Sequence, residues 1–592
     1  MFKRLNKIHK VRNLLIIFIL IHGFISCENQ SSPNILIVLT DDQGWGDLSI
    51  KGNTNLKTPN IDNIGYNGAS FERFYVSPVC SPTRAELLSG KYFVKSGVNG
   101  VTRGYERMNK DVQLVSEYFK EKNYITGLFG KWHNGSQPPY HPNYRGFDEF
   151  FGFTSGHWGN YFNPILEKNG RIIKTNGYIN DVITDEAISF IKESKQPFLS
   201  FISYNTPHSP MQVPDKYYLN KKVSLVGRYS NKENINKTKS ALGMIENIDE
   251  NIGNIVSVLK EKDVYDNTII IFLSDNGPNG NRWNNDFKDR KGSTNEGGVR
   301  VPFFIQWPNN IKKGLKINQV SSVLDLFPTL LELTGNKALD DLDGVSLKKY
   351  LDSPTLLDDE RIIYSYWNNK ISARNNNYIL DHENKLYDLV NDYSQYTPIK
   401  NNNNPNYKKL LNSKTQWEKL VVNPNMEKIS RRPFTVNYKN AEFTHLPARD
   451  AEINGDLKRS SIHANCSFIE NWENTEDYIY WEIDVLENGI NNVDLYYTIK
   501  KEGVGTEIAL EFESQIIKKT IDKFHDPSLV GSVEDKIERI ESYTKDFKKI
   551  NIGKISLKKG KSVLKLKTTK MEGDKSIDFR LLILKNENEK NS

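Results

Sequence analysis

Continuously apolar segments alternate with amphipathic ones along the first half of this chain. Residues 181–195 and 239–262 repeat apolar side chains at helical spacing, which predicts two amphipathic helices. Four segments rich in Ile, Leu, Val and Phe are typical of strands buried on both faces of a parallel sheet; they are 34–39, 125–130, 197–204 and 268–273. The alternation predicts an α/β fold with a doubly wound, mostly parallel sheet and helices on both of its faces.

The pattern changes in the second half of the chain. Residues 362–389 contain short β-prone segments that predict a small antiparallel subdomain. From residue 440 onward, segments such as 478–485 and 492–498 alternate with period two, which predicts a β-sandwich. We therefore expect three domains after an N-terminal segment; they are 33–335, 336–435 and 440–592.

The N-terminal segment, residues 1–26, is predicted to be a signal peptide. Five basic residues precede the apolar run from Leu14 to Ile21, which is too short to span a bilayer. Ser26-Cys27 then resembles a bacterial lipobox, although Phe24 stands where that motif usually has Leu. We expect an exported lipoprotein that lipidated Cys27 anchors to the membrane at the cell envelope, in the periplasm or at the cell surface. Ordinary cleavage nearby is the alternative.

Composition and charge narrow the class of protein. The chain has 592 residues, of which 37% are hydrophobic and 11% aromatic, as expected of a globular protein. Its formal charge is +7, but five basic residues lie in the predicted signal peptide, so no nucleic-acid partner is expected. The three cysteines of the sequence, Cys27, Cys80 and Cys466, suggest neither a disulfide framework nor a thiolate zinc site.

Pairs of polar side chains follow two of the predicted strands. Asp41 and Asp42 come directly after the first strand, and Asp275 and Asn276 follow the fourth strand closely. Because ligands bind outside the carboxyl ends of strands in such sheets, we expect these side chains to lie close together. Adjacent carboxylates repel each other unless a cation lies between them, and ligands that offer only oxygen suit a hard cation. A solvated turn is the alternative.

A cysteine lies where a loop turns into a helix, in the stretch from Ser77 to Gly90. Pro82 and the helix formers after it place Cys80 at or just before the helix N-terminus, where unpaired N–H groups favour an anion. Arg84, about one turn later, adds positive charge near the same spot. These features predict a reactive cysteine, whereas residue type alone favours a buried structural one.

The motifs around these residues resemble the signature of type I sulfatases, which belong to the alkaline phosphatase superfamily. Cys-x-Pro-x-Arg at 80–84 is followed by Ala-x-Leu-Leu-x-Gly, and the resemblance spans roughly residues 33–397. It includes Gly-Lys-Trp-His at 130–133, Thr-Pro-His at 206–208 and Asp-Asn-Gly at 275–277. The resemblance implies a bacterial polysaccharide sulfatase.

The resemblance also implies a modified residue and a metal. In this family the cysteine, here Cys80, is oxidised after translation to formylglycine (3-oxoalanine) by a formylglycine-generating maturation enzyme, and the hydrated aldehyde is the nucleophile. One Ca²⁺ per catalytic site is implied; its ligands would be Asp41, Asp42, Asp275, Asn276 and the residue derived from Cys80. A protein cage of oxygen atoms also suits the looser geometry of Ca²⁺ better than that of Mg²⁺.

Further roles follow from the same resemblance. Lys131 would contact the sulfate and the aldehyde hydrate, and His133 would remove a proton from the hydrate. His208 and Lys291 would bind the sulfate ester and protonate the leaving alcohol, while Arg84 would help to neutralise the sulfate. A lone histidine is more often structural, so these roles depend on the motifs.

The predicted reaction is hydrolysis of sulfate esters on a sulfated poly- or oligosaccharide, algal ones included, with release of inorganic sulfate. The long insertions 134–163 and 212–237 are expected to set specificity. The C-terminal sandwich loosely resembles carbohydrate-binding sandwiches of polysaccharide enzymes, and a structural domain packed on the enzyme is its alternative. Two other functions stay open: a phosphomonoester or phosphonate-ester hydrolase of the same superfamily, and an inactive glycan-binding protein of the cell surface.

Overall fold

A computed structural model describes residues 32–400, 403–427 and 432–587. The predicted signal peptide and Cys27 lie outside these residues. Within them, no helix combines the length and the apolar character that crossing a membrane requires. Residues from Asn34 onward form one compact unit, and the domain boundaries proposed from the sequence stay predictions.

A mixed sheet of ten strands dominates the first half of the chain. Its five central strands, from Thr268–Ser274 to Glu149–Phe153, run parallel, and antiparallel pairings flank them on both sides. The order across the sheet is Leu315–Ile317, Ala69–Phe71, Phe303–Gln306, Thr268–Ser274, Asn34–Thr40, Phe198–Ser203, Ile125–Lys131, Glu149–Phe153, Ile165–Lys168 and Arg171–Lys174. The prediction of an α/β fold with a mostly parallel sheet is confirmed.

Helices cover both faces of this sheet, because alternate side chains of each strand point to opposite faces. In the strand Asn34–Thr40, Ile35 and Ile37 belong to one buried cluster, whereas Leu36 and Val38 belong to the other. The helices of the first cluster are Cys80–Ser89, Val115–Glu121 and Leu326–Leu333, and those of the second are Pro59–Tyr66, Ile179–Glu193 and Ile235–Glu261. The core therefore lies in two layers, one on each side of the sheet.

Smaller sheets follow along the chain. The strands Ile363–Trp367, Lys370–Arg374, Tyr378–Leu380 and Leu386–Asp388 form an antiparallel sheet, against which the helix Pro405–Trp417 packs. This sheet confirms the short strands predicted between residues 362 and 389. A separate small sheet joins Phe74–Tyr75 to Arg300–Val301 and Ser321–Ser322.

Two six-stranded sheets form the predicted β-sandwich. The first contains Phe434–Val436, Glu452–Asn454, Tyr478–Val485, Gly560–Lys570, Glu507–Phe512 and Gln515–Thr520. The second contains Phe443–Pro447, Lys458–Arg459, Ile469–Glu470, Asp578–Asn586, Gly489–Thr498 and Lys548–Leu557. Trp472 and Trp481 are buried in the core between the sheets, so they pack the sandwich and are not available to stack on sugars.

Candidate active site

The carboxyl ends of three parallel strands bring the predicted site residues to one edge of the large sheet. Asp41 and Asp42 follow Asn34–Thr40, and Asp275 follows the neighbouring strand Thr268–Ser274. The backbone of Asp42 has a φ of 68°, a left-handed conformation that is uncommon outside glycine and clusters at functional sites. Lys131 ends the strand Ile125–Lys131 on the same side of the sheet.

Oxygen atoms without hydrogen-bond partners converge at this edge. Within the described residues, Asp41 Oδ1, Asp42 Oδ2 and Asn276 Oδ1 are buried and accept no hydrogen bond. Side-chain ligand atoms of Asp41, Cys80 and Asp275 lie within 4.8 Å of one another, as do those of Asp41, Asp42 and His208. Buried oxygen atoms of this kind cost free energy unless a partner is present, and a hard cation such as Ca²⁺ is a suitable partner. The donor set therefore fits the implied metal.

Each of the three carboxylates is also paired with one cation, of which Arg84 and Lys131 are buried and Lys291 is partly exposed. Lys131 Nζ donates to Asp41 at 2.6 Å, Lys291 Nζ donates to Asp42 at 2.5 Å, and Arg84 Nη2 donates to Asp275 at 2.8 Å. Within each pair, the positive charge of the cation offsets the negative charge of the carboxylate. A divalent cation would leave the cavity positive, as binding of a sulfate ester anion requires. Arg84 thus contacts Asp275, one of the carboxylates predicted to hold the metal.

The pKa values reflect these pairs. Burial and the nearby Asp41 raise the pKa of Asp275 to about 7, although Arg84 and Lys131 oppose this shift. Burial also acts to raise the pKa of Asp42, but the charges of Lys291 and His208 outweigh it and hold that pKa below its usual value. Like charges that are forced together in this way favour a bound cation.

Cys80 is the first residue of the helix Cys80–Ser89 and is 4% exposed. Burial raises the pKa of its thiol, and the charges of Lys131 and Lys291 only partly offset that effect. An unmodified Cys80 therefore stays protonated at neutral pH, which makes it a poor nucleophile in its own right.

The two predicted histidines each bond a backbone carbonyl through one ring nitrogen. Nε2 of His133 lies 2.7 Å from the carbonyl oxygen of Val101, which leaves Nδ1 buried and without a hydrogen-bond partner among the described residues. Burial and Lys131 lower the pKa of His133, so its ring is neutral and able to accept a proton. Nδ1 of His208 lies 2.7 Å from the carbonyl oxygen of Ser209, and its Nε2 lies 3.8 Å from Asp42.

Residues that the sequence did not single out surround His208. The ring of His157 stacks on it with a centroid distance of 5.9 Å and an interplanar angle of 14°. From the sandwich, Cys466 Sγ donates to the carbonyl oxygen of His157, and Glu541 accepts a hydrogen bond from Ser209 Oγ. The predicted specificity insertion 134–163 contains His157, but no local sequence signal marks Cys466 or Glu541 as part of this region.

Comparisons with known proteins agree with this geometry. The Sulfatase family profile matches residues 33–336, and the profile "N-sulphoglucosamine sulphohydrolase, C-terminal" matches residues 286–431. The N-acetylgalactosamine-6-sulfatase of Mus musculus is 31% identical over 396 residues, which cover 59% of this chain and 72% of that protein.

Solved structures show the same similarity. The crystal structure of Ps i-CgsB in complex with k-i-k-neocarrahexaose is similar with a TM-score of 0.61 at 32% identity, covering 65% of this chain and 93% of that chain. The structure of BT4656 in complex with its substrate D-glucosamine-2-N,6-O-disulfate is similar with a TM-score of 0.55 at 21% identity, covering 68% of this chain and 100% of that chain. At so low an identity, this similarity shows the shared fold alone. The family profile covers about half of this chain, so the protein belongs to the sulfatase family and is a sulfuric ester hydrolase.

Proposed function

We propose that this protein hydrolyses sulfate esters on carbohydrate with a formylglycine derived from Cys80 and one bound Ca²⁺. The observation that carries the proposal is the set of buried oxygen atoms without partners on Asp41, Asp42 and Asn276, next to Cys80 and three cations paired with buried carboxylates. Asp41, Asp42, Asp275, Asn276 and the residue derived from Cys80 would hold the metal.

When present, Ca²⁺ supplies positive charge beside the sulfate oxygens, and the hydrated aldehyde supplies the attacking hydroxyl. The protein's own cations do the rest of the electrostatic work. Lys131, Lys291 and Arg84 are held by ion pairs with buried carboxylates, so they are already oriented when charge develops on the sulfate. Their preorganised charge stabilises the transition state without moving side chains during the reaction.

Each of the two histidines carries out one proton transfer. His208 donates through Nδ1 to the carbonyl of Ser209, so Nε2 is the atom that exchanges a proton with the departing alcohol, with Lys291 nearby. His133 is neutral, and its Nδ1 accepts the proton whose removal regenerates the aldehyde and expels sulfate. An ordinary alcohol nucleophile would instead remain trapped as a stable sulfate ester.

Carbohydrate is the proposed substrate class because the similar proteins act on or bind it. Their names specify N-acetylgalactosamine 6-sulfate chemistry in the mouse relative and a neocarrahexaose in Ps i-CgsB. We further propose export by the signal peptide at residues 1–26, a lipid anchor at Cys27 that holds the enzyme at the cell envelope, and a formylglycine-generating enzyme as the maturation partner. The support for these proposals is the apolar run Leu14 to Ile21, the lipobox-like Ser26-Cys27 and the Cys-x-Pro-x-Arg motif at 80–84.

The first experiment is the mass of the peptide that contains Cys80, measured on protein purified from its native host. We expect the mass of formylglycine there, and sulfate release from sulfated glycans that Cys80→Ala abolishes. Unmodified cysteine, even after co-expression with a maturation enzyme, would contradict the proposal. Faster hydrolysis of phosphate than of sulfate esters would favour the phosphoester alternative, and glycan binding without turnover would favour the inactive binding protein.

A further inference from the structure

A cavity of about 670 Å³ opens between the sandwich and the strands Ile165–Lys168 and Arg171–Lys174 of the large sheet. We call it the basic groove. Its volume lies in the range of about 300–1,000 Å³ that is typical of ligand sites. Its charged lining consists of six basic and two acidic side chains, which are Lys174, Arg449, Lys545, Lys548, Lys549, Arg580, Glu167 and Asp546.

The two acidic side chains do not cancel the positive charge of the basic groove. Glu167 is buried and bonds a histidine, and Asp546 pairs with Lys174 at 2.8 Å. Lys549 is 54% exposed and lies 3.8 Å from its nearest carboxylate. Lys548 forms neither an ion pair nor a side-chain hydrogen bond with the part of the chain that the structure describes. Lys545 pairs with Asp578 at 2.7 Å, and Arg449 lies 3.4 Å from Asp450. The positive charge that an anionic ligand would meet therefore comes from Lys548, Lys549 and Arg580.

Half-buried aromatic side chains line the same cavity. Trp158, Tyr496 and Phe547 each present part of a ring to it, and the guanidinium of Arg580 lies 5.9 Å from the ring centre of Trp158. Sugar rings have apolar C–H faces that pack on aromatic rings, while their sulfate groups require cations. The combination of aromatic walls and a basic rim fits a sulfated saccharide.

One loop separates the basic groove from the catalytic histidines. Trp158 lines the groove, whereas the ring of the adjacent His157 stacks on that of His208. Between the two sides lies Gly156, where a Cβ atom would meet the amide of Asn465 at 2.4 Å and the ring of His133 at 2.5 Å. Asn465 belongs to the sandwich and also lines the groove. The groove and the catalytic site thus share a wall only one loop thick.

We propose that the basic groove binds units of a sulfated saccharide chain that are remote from the ester being cleaved. The inference rests on the proposed function and extends it, because it assigns the substrate class as a chain with several sulfate groups. It also gives the sandwich a binding role at its junction with the α/β region. A contact far from the reacting atoms strengthens substrate binding without altering the reacting centre, so it lowers KM and leaves kcat unchanged.

The test compares two triple variants of the full chain in a Cys80→Ala background. The first changes Lys174, Lys548 and Lys549 to Gln. The control makes the same charge change at three exposed lysines outside the groove, which are Lys558, Lys559 and Lys561. Binding of a heparin hexasaccharide and of a carrageenan hexasaccharide is measured by calorimetry. The first variant should bind about tenfold more weakly than the parent, as expected for the loss of three exposed ion pairs. The control should bind as the parent does. Equal effects of both variants, or binding of neither hexasaccharide by the parent protein, would overturn the inference.

Turnover measurements distinguish this inference from the proposed function. In the mature enzyme, the first triple variant should raise KM for whichever sulfated hexasaccharide is cleaved and leave kcat/KM for a sulfated monosaccharide unchanged. Equal losses on both substrates would overturn the groove as a remote site. If the parent enzyme released no sulfate at all, the proposed function would fail, whereas the calorimetric comparison would still decide the groove.

Discussion

A buried carboxyl group in the helix that begins at Cys80 should make the stability of this protein depend on pH. Glu86 is 5% exposed, and its oxygens accept hydrogen bonds from Ser77 Oγ at 2.9 Å and from the N–H of Phe93 at 3.3 Å. Burial outweighs these two hydrogen bonds and raises the pKa of Glu86 from 4.5 to about 8. The folded protein therefore holds a proton that the unfolded chain releases.

The sign and size of the effect follow by linkage. The free energy of unfolding falls as pH rises from about 4.5 to about 8 and is level above that range. At about 1.4 kcal/mol per pKa unit, the loss attributable to Glu86 is on the order of 5 kcal/mol. Glu86→Gln mimics the neutral acid and keeps partners for both hydrogen bonds. It should match the wild type at about pH 4.5 and be more stable at about pH 9.

The assay is denaturant unfolding of the full-length proteins at several pH values, followed by tryptophan fluorescence. Glu121→Gln serves as the control, because Glu121 is an exposed glutamate at the end of a neighbouring helix and the substitution is chemically the same. We expect the stability difference from wild type to grow with pH for Glu86→Gln alone. A difference that does not change with pH would refute the reasoning from burial.

Three further predictions concern the metal, the leaving group and the sandwich. Calcium at 100–1,000 times its Kd should stabilise chelator-treated protein by ~3–4 kcal/mol, which appears as a higher thermal midpoint. The Asp41→Asn variant should show no such rise. His208→Ala should lower kcat at least ~100-fold on alkyl sulfates but far less on a nitrophenyl sulfate, whose leaving group needs no proton; equal losses would contradict its role. Arg539→Ala should destabilise the protein by ~3 kcal/mol in denaturant unfolding, because the buried Arg539 pairs with Asp535 and bonds the carbonyl of Gly159; an unchanged midpoint would contradict this.

The central strands and their polar ends were predictable because the signals are local. A strand buried on both faces must be apolar at successive positions, as in Asn34–Thr40. The parallel pairing of that strand with Thr268–Ser274 then places the polar residues after both strands at one edge. The helix that starts at Cys80 was also predictable from its own residues. Together with the motifs, these signals indicated both the fold and the main candidate residues.

The surroundings of the site were not predictable in this way. Glu541 accepts a hydrogen bond from Ser209, Cys466 bonds the backbone of His157, and the basic groove combines residues of 136–174 with residues of 445–581. Such contacts join positions separated by hundreds of residues, and none of them leaves a periodic or compositional mark on the sequence. The burial that raises the pKa of Glu86 is likewise a property of the packed structure.

The sequence by itself determined the α/β fold, the β-sandwich and the order of the candidate catalytic residues, because hydrophobic periodicity and short motifs act over a few neighbouring positions. Only the tertiary structure decided which charges pair, which oxygens lack partners and how the sandwich meets the loop at Gly156. These outcomes depend on packing between distant segments, since desolvation and ion pairing arise only when side chains meet in three dimensions.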